Sequence, residues 1–499
     1  MKKFINKYTL AALVATGVFS GCGKDFLDIN TNPNAATTAT PSMILSAGLN
    51  RTAAQQATSL NILGSLWTGH MANATDMLWF NNEKQYNVTS SFYNGIWDTG
   101  YDILNDFEVM QKTAEASNQQ YYIGMAKIMK AHGYQIIVDA YGNVPFTDAL
   151  KATNVLRPKY DNAEEVYDNL IVLLEEGIQA IKSAPVTETK PSTDDIMFKG
   201  NMTRWIKFAN TLKLRILMRQ SEVATKANYI TAEIAKITAE GTGYLAAGES
   251  AEINPGYLGS SGKLNPYWES YHLTSAGAIT NNYRAVRPTV YLLGKYDAYN
   301  DPRKAANYAL SVTDGVFNGV ALGEATGGPD AANFTYNKTS AIKAGGAILR
   351  TATSATPLLT AEESLFLQAE AAERGWITGT ASALYESAIS ESFNRAGVSA
   401  DYATYIAQPT VSYADATDKV EAIITQKWFA LNMIGGWEVW NDFRRTKFPS
   451  DNPLSKAALE QKHPARLLYP NSELGRNADN VTAQGTIDAF DTKLFWDKK

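Results

Sequence analysis

Two short aromatic clusters carry side chains able to recognise a sugar. In one, Trp79 and Phe80 are followed directly by Asn81 and Asn82, with Trp67 and Met77-Leu78 upstream. In the other, Tyr267, Trp268, Glu269 and Tyr271 stand within five residues, next to His272. The C–H face of a pyranose stacks on an indole or a phenol, and its hydroxyls pair with planar amides and carboxylates held beside that ring. Trp79 with Asn81 and Asn82 offers both halves of this chemistry, as does Trp268 with Glu269. These eight residues (Trp79, Phe80, Asn81, Asn82, Tyr267, Trp268, Glu269 and Tyr271) are the expected ligand contacts. Any one of these aromatics could equally be packed core; polar neighbours and loop-like surroundings set them apart. Trp97 and Tyr101, four apart on a helical pattern, belong in the core by the same reasoning. So do Trp205, Trp428, Trp437 and Trp440, on helical or helix-flanking sequence.

Other chemistries find little support. The four histidines, His70, His132, His272 and His463, have no second histidine three or four residues away, which argues against a helical metal site. No phosphate-binding loop and no GxSxG elbow occurs. Acidic residues are plentiful, and a glycosidase-like carboxylate pair meets only in the fold, so spacing does not reveal one. No catalytic residue, metal or cofactor is expected.

Cys22 is the only cysteine. A lysine-bearing start, Met1 to Lys7, leads into the apolar run Leu10 to Phe19 and then Ser20-Gly21-Cys22. This is the pattern of a lipoprotein signal, cleaved before a cysteine that becomes acylated, although Phe19 stands where leucine is usual. The alternative is an ordinary signal peptide followed by an unrelated thiol. The apolar run is too short to span a bilayer, whereas paired acyl chains anchor stably. With Cys22 acylated, no thiol is left for disulfides, zinc or nucleophilic catalysis. A net charge of −5 over 499 residues gives no electrostatic footprint for nucleic acid.

The elements that must position the aromatics are mostly helical. Residues 1–21 read as signal, 22–41 as a polar, Pro-punctuated tether, and 42–499 as a single helical domain. Val166, Leu170, Leu174, Ile178 and Ile181 recur at helical spacing, as do Trp205, Phe208, Leu212 and Ile216. Thr360 with Glu363 has the spacing of a capping box. Two stretches resemble tetratricopeptide helix pairs: 122–131 with 166–181, and Ala369 to Gly375 with Ala383 to Ile389, where small residues allow close approach. Residues 241–358 are different. They are rich in Gly, Asn, Tyr and Thr, an irregular region of the kind in which binding surfaces concentrate. Near the C-terminus, Asp442 and Arg445 are spaced to pair on a helix, with Glu438 one turn before, most simply as a structural network.

Several segments together resemble the SusD/RagB-like outer-membrane lipoproteins of Bacteroidetes. They are Cys22 to Asn34, Asp139 to Ala149, Arg204 to Arg215, Glu363 to Glu370, Gln426 to Leu431, Trp437 to Thr446, and Pro464 to Pro470 with Glu473. The resemblance implies a mainly α fold of tetratricopeptide-like pairs with an irregular, loop-rich ligand-binding half. It also implies a lipid-anchored protein on the outer face of the outer membrane, covering a TonB-dependent SusC-like transporter and delivering a nutrient oligosaccharide to it. A peptide binder of the same architecture is the alternative, and a secreted hydrolase on a helical scaffold a more distant one. The family's ligand residues do not carry over, since the loop region is where members differ.

Overall fold

Apolar residues recurring at three and four form helices along most of the chain. A computed structural model describes residues 39–499. Cys22, the signal and all but the end of the tether therefore lie outside the described residues. In chain order, α1 (Pro41–Gln55) runs through a π-helical turn (Gln56–Leu60) into α2 (Asn61–Trp67). Then come β1 (Met71–Asn73), α3 (Asn81–Gln85), α4 (Gly95–Ala116), α5 (Gln120–Tyr141), α6 (Ala163–Ser183), α7 (Met202–Arg219) and α8 (Ala227–Glu240). The irregular region holds β2 (Ala251–Ile253), α9 (Pro266–Tyr271), α10 (Asn281–Ala285), β3 (Val286–Pro288), α11 (Val290–Ala298) and α12 (Arg303–Asn307), and closes with β4 (Thr356–Leu359). Helices return with α13 (Ala361–Glu373), α14 (Ala381–Ala396), α15 (Tyr402–Ile406), α16 (Lys419–Ala430), α17 (Gly436–Thr446), α18 (Asn471–Arg476) and α19 (Ala478–Thr482).

Both expected helix pairs are present. α5 packs along α6, with Gly124 against Gly177. A Cβ added at Gly124 would stand 2.6 Å from the Gly177 carbonyl oxygen, so the backbones meet where no side chain fits. The Asn162 side chain caps α6, accepting from Glu164 N at 2.9 Å, and Glu164 and Glu165 sit in the first turn, where the helix dipole favours them. In the second pair, α13 with α14, Phe366 and Tyr385 fill the gap as an edge-to-face contact at 6.3 Å. Thr360 caps α13 through Glu363 N at 3.3 Å. The box is only half built, because the Glu363 carboxylate turns instead to Arg215, 3.4 Å away.

That turn leads into a buried ionic hub joining α5, α7, α13, α16 and α17. Arg445 holds both oxygens of Glu370, at 2.6 and 2.7 Å, and Asp442 at 3.0 Å. Lys427 reaches Asp442 at 2.8 Å. Arg219 pairs with Glu438 and lies 3.3 Å from Asp139. Arg444 donates to the carbonyls of Ala465 and Asp139, each at 2.8 Å, and lies 3.5 Å over the Trp440 ring. All of these side chains are buried. Burial pushes the carboxyls of Glu438 and Asp442 up. The cations outweigh it and hold both at about 2: Arg215 and Arg219 for Glu438, Lys427 and Arg445 for Asp442. The pairing of Asp442 with Arg445 is the one the spacing predicts.

Two short antiparallel ladders tie the irregular region to this scaffold. β2 pairs with β4, Ile253 opposite Thr356, so the intervening residues leave and return at one seam. β1 pairs with β3, Asn73 opposite Val286. Both aromatic clusters are less loop-like than their sequence suggests: α3 begins at Asn81, and Tyr267 to Tyr271 are helical. Asn265 explains the second helix. Its side chain accepts from the Tyr267 and Trp268 amides, each at 3.0 Å, and Pro266 takes the first helical position.

Candidate functional site

The β1–β3 ladder brings the two aromatic clusters together. β1 leads into Trp79 and β3 follows α10 directly, and the pairing continues past the strands with Ala74 N donating to Ala285 O at 2.8 Å. Trp79 Nε1 then donates to Asn282 Oδ1 at 2.7 Å, fixing the indole against α10. From the other side, α9 reaches α10 through a short hairpin. Thr280 N donates to His272 O at 2.9 Å and its hydroxyl to Ser270 O at 3.1 Å. The His272 ring sits between Trp268 (4.3 Å, 81°) and Tyr283 (5.0 Å, 71°), both edge-on. α10 thus holds one cluster through Asn282 and the other through Tyr283.

The eight expected contact residues divide by burial. Trp79, Phe80, Trp268 and Glu269 are half-buried, and Asn81 and Asn82 are exposed. Trp79 and Trp268 therefore offer both an anchored edge and accessible surface. Asn82 Oδ1 accepts from Asn87 Nδ2 at 3.0 Å. Phe80 starts α3 with φ +53°, in the left-handed region, a strained setting of the kind that clusters at binding sites. Tyr267 and Tyr271 are corrected to core: both are buried, and their rings stack on each other at 5.0 Å and 27°. Four residues apart on one helix, they share the inward face, while Trp268 and His272 share another. Trp67 is core too, buried and 4.8 Å from Trp440. Trp97, Trp205, Trp428, Trp437 and Trp440 are buried.

Four residues join the patch that sequence reasoning did not assign to it. Asn282 and Tyr283 come from α10, where Asn281-Asn282-Tyr283 repeats the amide-beside-aromatic pattern of residues 79–82 and could have been found by it. His272 acts as the spacer between rings, and burial lowers its pKa. Glu83 lies beneath, against Tyr93 and Tyr271: burial raises its carboxyl, and its charge raises the phenols of both tyrosines, for which burial is the larger cause. Trp268 and Tyr267 also border a small cavity reaching inward toward Met433. Half-buried ring surface, amides and a carboxylate suit a neutral polyhydroxylated ligand. Among the described residues, no group of His, Cys, Asp or Glu is arranged to hold a metal ion, and no helix is long and apolar enough to cross a membrane.

Residues 33–470 match the model of a SusD-like family described as starch-binding and associating with the outer membrane. The chain belongs to this SusD-like family. Its fold is similar to that of a SusD homolog from Bacteroides fragilis NCTC 9343 (TM-score 0.76, 22% identity, covering 92% of this chain and 99% of that one). A SusD/RagB family protein from Bacteroides thetaiotaomicron VPI-5482 is equally similar (TM-score 0.76, 20% identity, 92% and 99% covered). A chitin-binding SusD homolog from Flavobacterium johnsoniae matches at TM-score 0.73 and 26% identity, with 91% and 98% covered. No curated protein sequence gives a significant match. In this SusD-like chain, segments that carry the resemblance supply most of the hub: Asp139, Arg215, Glu363, Glu370, Lys427, and Glu438 through Arg445, with Arg219 just beyond one of them. Trp79 and Trp268 lie outside those segments.

Proposed function

We propose that this SusD-like protein is a non-enzymatic outer-membrane lipoprotein. It binds a nutrient oligosaccharide on the Trp79–Trp268 face and passes it to a TonB-dependent SusC-like transporter. The observation that carries the binding half is the shared support of the two indoles on α10, Trp79 through Asn282 and Trp268 through His272 and Tyr283. Ring platforms held on one short helix keep a fixed spacing, and preorganised contacts lose less entropy when a flexible glycan binds. Family membership supports carbohydrate as the ligand class and the outer membrane as the location; the chitin-binding relative supports it further. The anchor rests on Cys22 and the signal before it, and the partner on the family resemblance. The region from Cys22 to Pro41 is about 20 residues, which extended at ~3.3–3.6 Å each spans several nanometres, ample slack for a lid.

Calorimetric titration against malto-, cello- and chito-oligosaccharides tests the ligand class. Saturable binding of at least one is expected, and no binding to any of them overturns it. Replacing Cys22 with Ala should release the protein from the membrane fraction; retention there refutes the anchor. A pull-down from detergent-solubilised outer membrane should recover a large β-barrel protein, and recovery of the folded lipoprotein alone counts against a stable transporter complex.

A further inference from the structure

A second cavity shares no residue with the aromatic face. Its volume is about 290 Å³, just under the roughly 300–1,000 Å³ of small-molecule pockets. Gly142, Ala163, Arg466, Tyr469 and Leu494 are its buried walls, with Asn162 and Lys493 exposed at the rim. Arg466 sets it apart. The residue is 4% exposed and makes no ion pair with any described residue. Its Nε donates to Leu467 O at 3.3 Å and its Nη2 to Tyr141 O, while Nη1 has no hydrogen-bond partner and keeps accessible surface. Nη1 is next to Gly142, where a Cβ would stand 3.1 Å from it. At φ +76° that position favours glycine, and the space beside Nη1 stays open to the cavity. The Tyr469 phenol beside the guanidinium gives its proton to Asn143 O at 2.7 Å and brings no charge. The other buried arginines are better provided for. Arg215, Arg219, Arg303 and Arg445 each hold a carboxylate, and Arg287 and Arg444 have both amines on oxygen acceptors. A buried cation without a counter-charge is unfavourable, and burial lowers the Arg466 pKa accordingly.

The rest of the lining adds to the positive field. The N-terminus of the 21-residue α6, at Asn162 and Ala163, forms one wall, and its dipole favours an anion there. Its first amides are already taken, Ala163 N by Asn143 Oδ1 and Glu164 N by Asn162 Oδ1, each at 2.9 Å. Lys493 is a second cation, with one bond to Lys499 O. The one carboxylate in the lining, Glu164, pairs with Lys226 at 3.0 Å. Gln484 is bonded to Asn143 and Asn480, and the Thr492 hydroxyl accepts from Asp488 N at 2.9 Å. Two cations thus face one carboxylate that is already neutralised. We infer that this cavity is a second binding site, for a small molecule whose carboxylate pairs with Arg466 Nη1. One free amine and one uncompensated buried charge suit a singly charged group held through one oxygen. A sulfate or phosphate spreads its charge over more oxygens than this wall has free donors to meet. The carboxylate can belong to an acidic sugar or to a free organic acid.

The test is calorimetric titration of the full-length protein in detergent, at low ionic strength, with sodium D-glucuronate, sodium lactate, D-glucose and sodium sulfate. At least one of the two carboxylates should bind about tenfold or more tightly than glucose. Preference for glucuronate over lactate identifies an acidic sugar; lactate binding as well or better identifies an organic acid. Arg466→Met should abolish the binding. Asn162→Asp keeps an N-cap side chain for α6 but sets a negative charge at the rim. It should weaken carboxylate binding roughly threefold to tenfold, with thermal unfolding and neutral oligosaccharide binding as in the parent. If Arg466→Met unfolds, Asn162→Asp decides. Carboxylates binding no better than glucose, sulfate binding better than either, or full affinity in Asn162→Asp overturns the site. So does loss of carboxylate binding in Trp268→Ala, which would move the anion to the aromatic face. The reading of that face stands or falls separately, on the neutral oligosaccharides.

Discussion

At the hub, Arg445, Glu370 and Asp442 meet with none of the three exposed. At the aromatic face, Trp268 and Glu269 keep part of their surface in water. Both regions are built from charged and aromatic side chains, but burial gives them opposite tolerances. A charge sealed inside protein must have its partner, so each hub residue depends on others from distant helices. A half-buried ring needs only an anchored edge, and its open face can meet a ligand. The hub can therefore change only with its partners, while the face can vary residue by residue.

The comparison is broken most directly by removing one hub partner. Arg445→Ala leaves Glu370 and Asp442 facing each other without their shared cation and should lower unfolding free energy by about 3–5 kcal/mol, read by urea denaturation. A loss below about 1 kcal/mol would mean the hub does not organise the helices. Acid should come next. Burial holds His70 and His132 at about 3 and His463 at about 4, against about 6.5 when unfolded. These depressed bases favour the folded state fully above pH 6.5, and that stability is lost as pH falls toward 4. Glu363, which burial pushes up to about 7, works the other way and releases one proton on unfolding in the same window. Asp139 and Glu83, whose carboxyls burial also raises, work with Glu363, and His272, which burial lowers, works with the other histidines. Each histidine that takes up a proton only on unfolding lowers stability by about 1.4 kcal/mol per pH unit in this window. A stability flat between pH 6.5 and 5 would show that the histidines are not held neutral.

Smaller effects belong to the aromatic face, and there affinity moves more than stability. Trp268→Ala and Trp79→Ala should each weaken oligosaccharide binding about tenfold, or ~1.4 kcal/mol. The loss of stability should stay near 1 kcal/mol, the size of one edge-to-face contact. If these variants lost cooperative unfolding instead, the face would be core and the distinction between the two regions would fail. Asn282→Leu should weaken binding only a few-fold, by freeing the Trp79 edge, and Trp79→Ala should erase that difference in a double-mutant cycle.

Helical periodicity made the two helix pairs legible, because their apolar faces are local patterns. The Asp442–Arg445 contact was legible for the same reason, three residues apart on one helix. Glu370, the other partner of Arg445, was not, since 75 residues separate them and nothing local links the two. At the aromatic face, polar neighbours set the half-buried Trp79 and Trp268 apart from the buried tryptophans, but admitted the buried Tyr267 and Tyr271 as well. The spacing argument that assigned Trp97 and Tyr101 to a helix face applies equally to Tyr267 and Tyr271, once Asn265-Pro266 is read as a helix start. The convergence of both clusters on α10 depends on β1 pairing with β3 across more than 200 residues, a non-local fact invisible to any window.

The β2–β4 seam has a consequence for how such a molecule diversifies. About a hundred residues depart at Ile253 and come home at its ladder partner Thr356. Closing a loop of that length costs an entropy that grows only with the logarithm of its length, so stretches of it that touch nothing else can lengthen at little cost. The stretches that cannot are those docked on the helices: Arg303, bonded to Ser392, Tyr405 and Gln426, and Tyr296 and Tyr308, which meet Asn432.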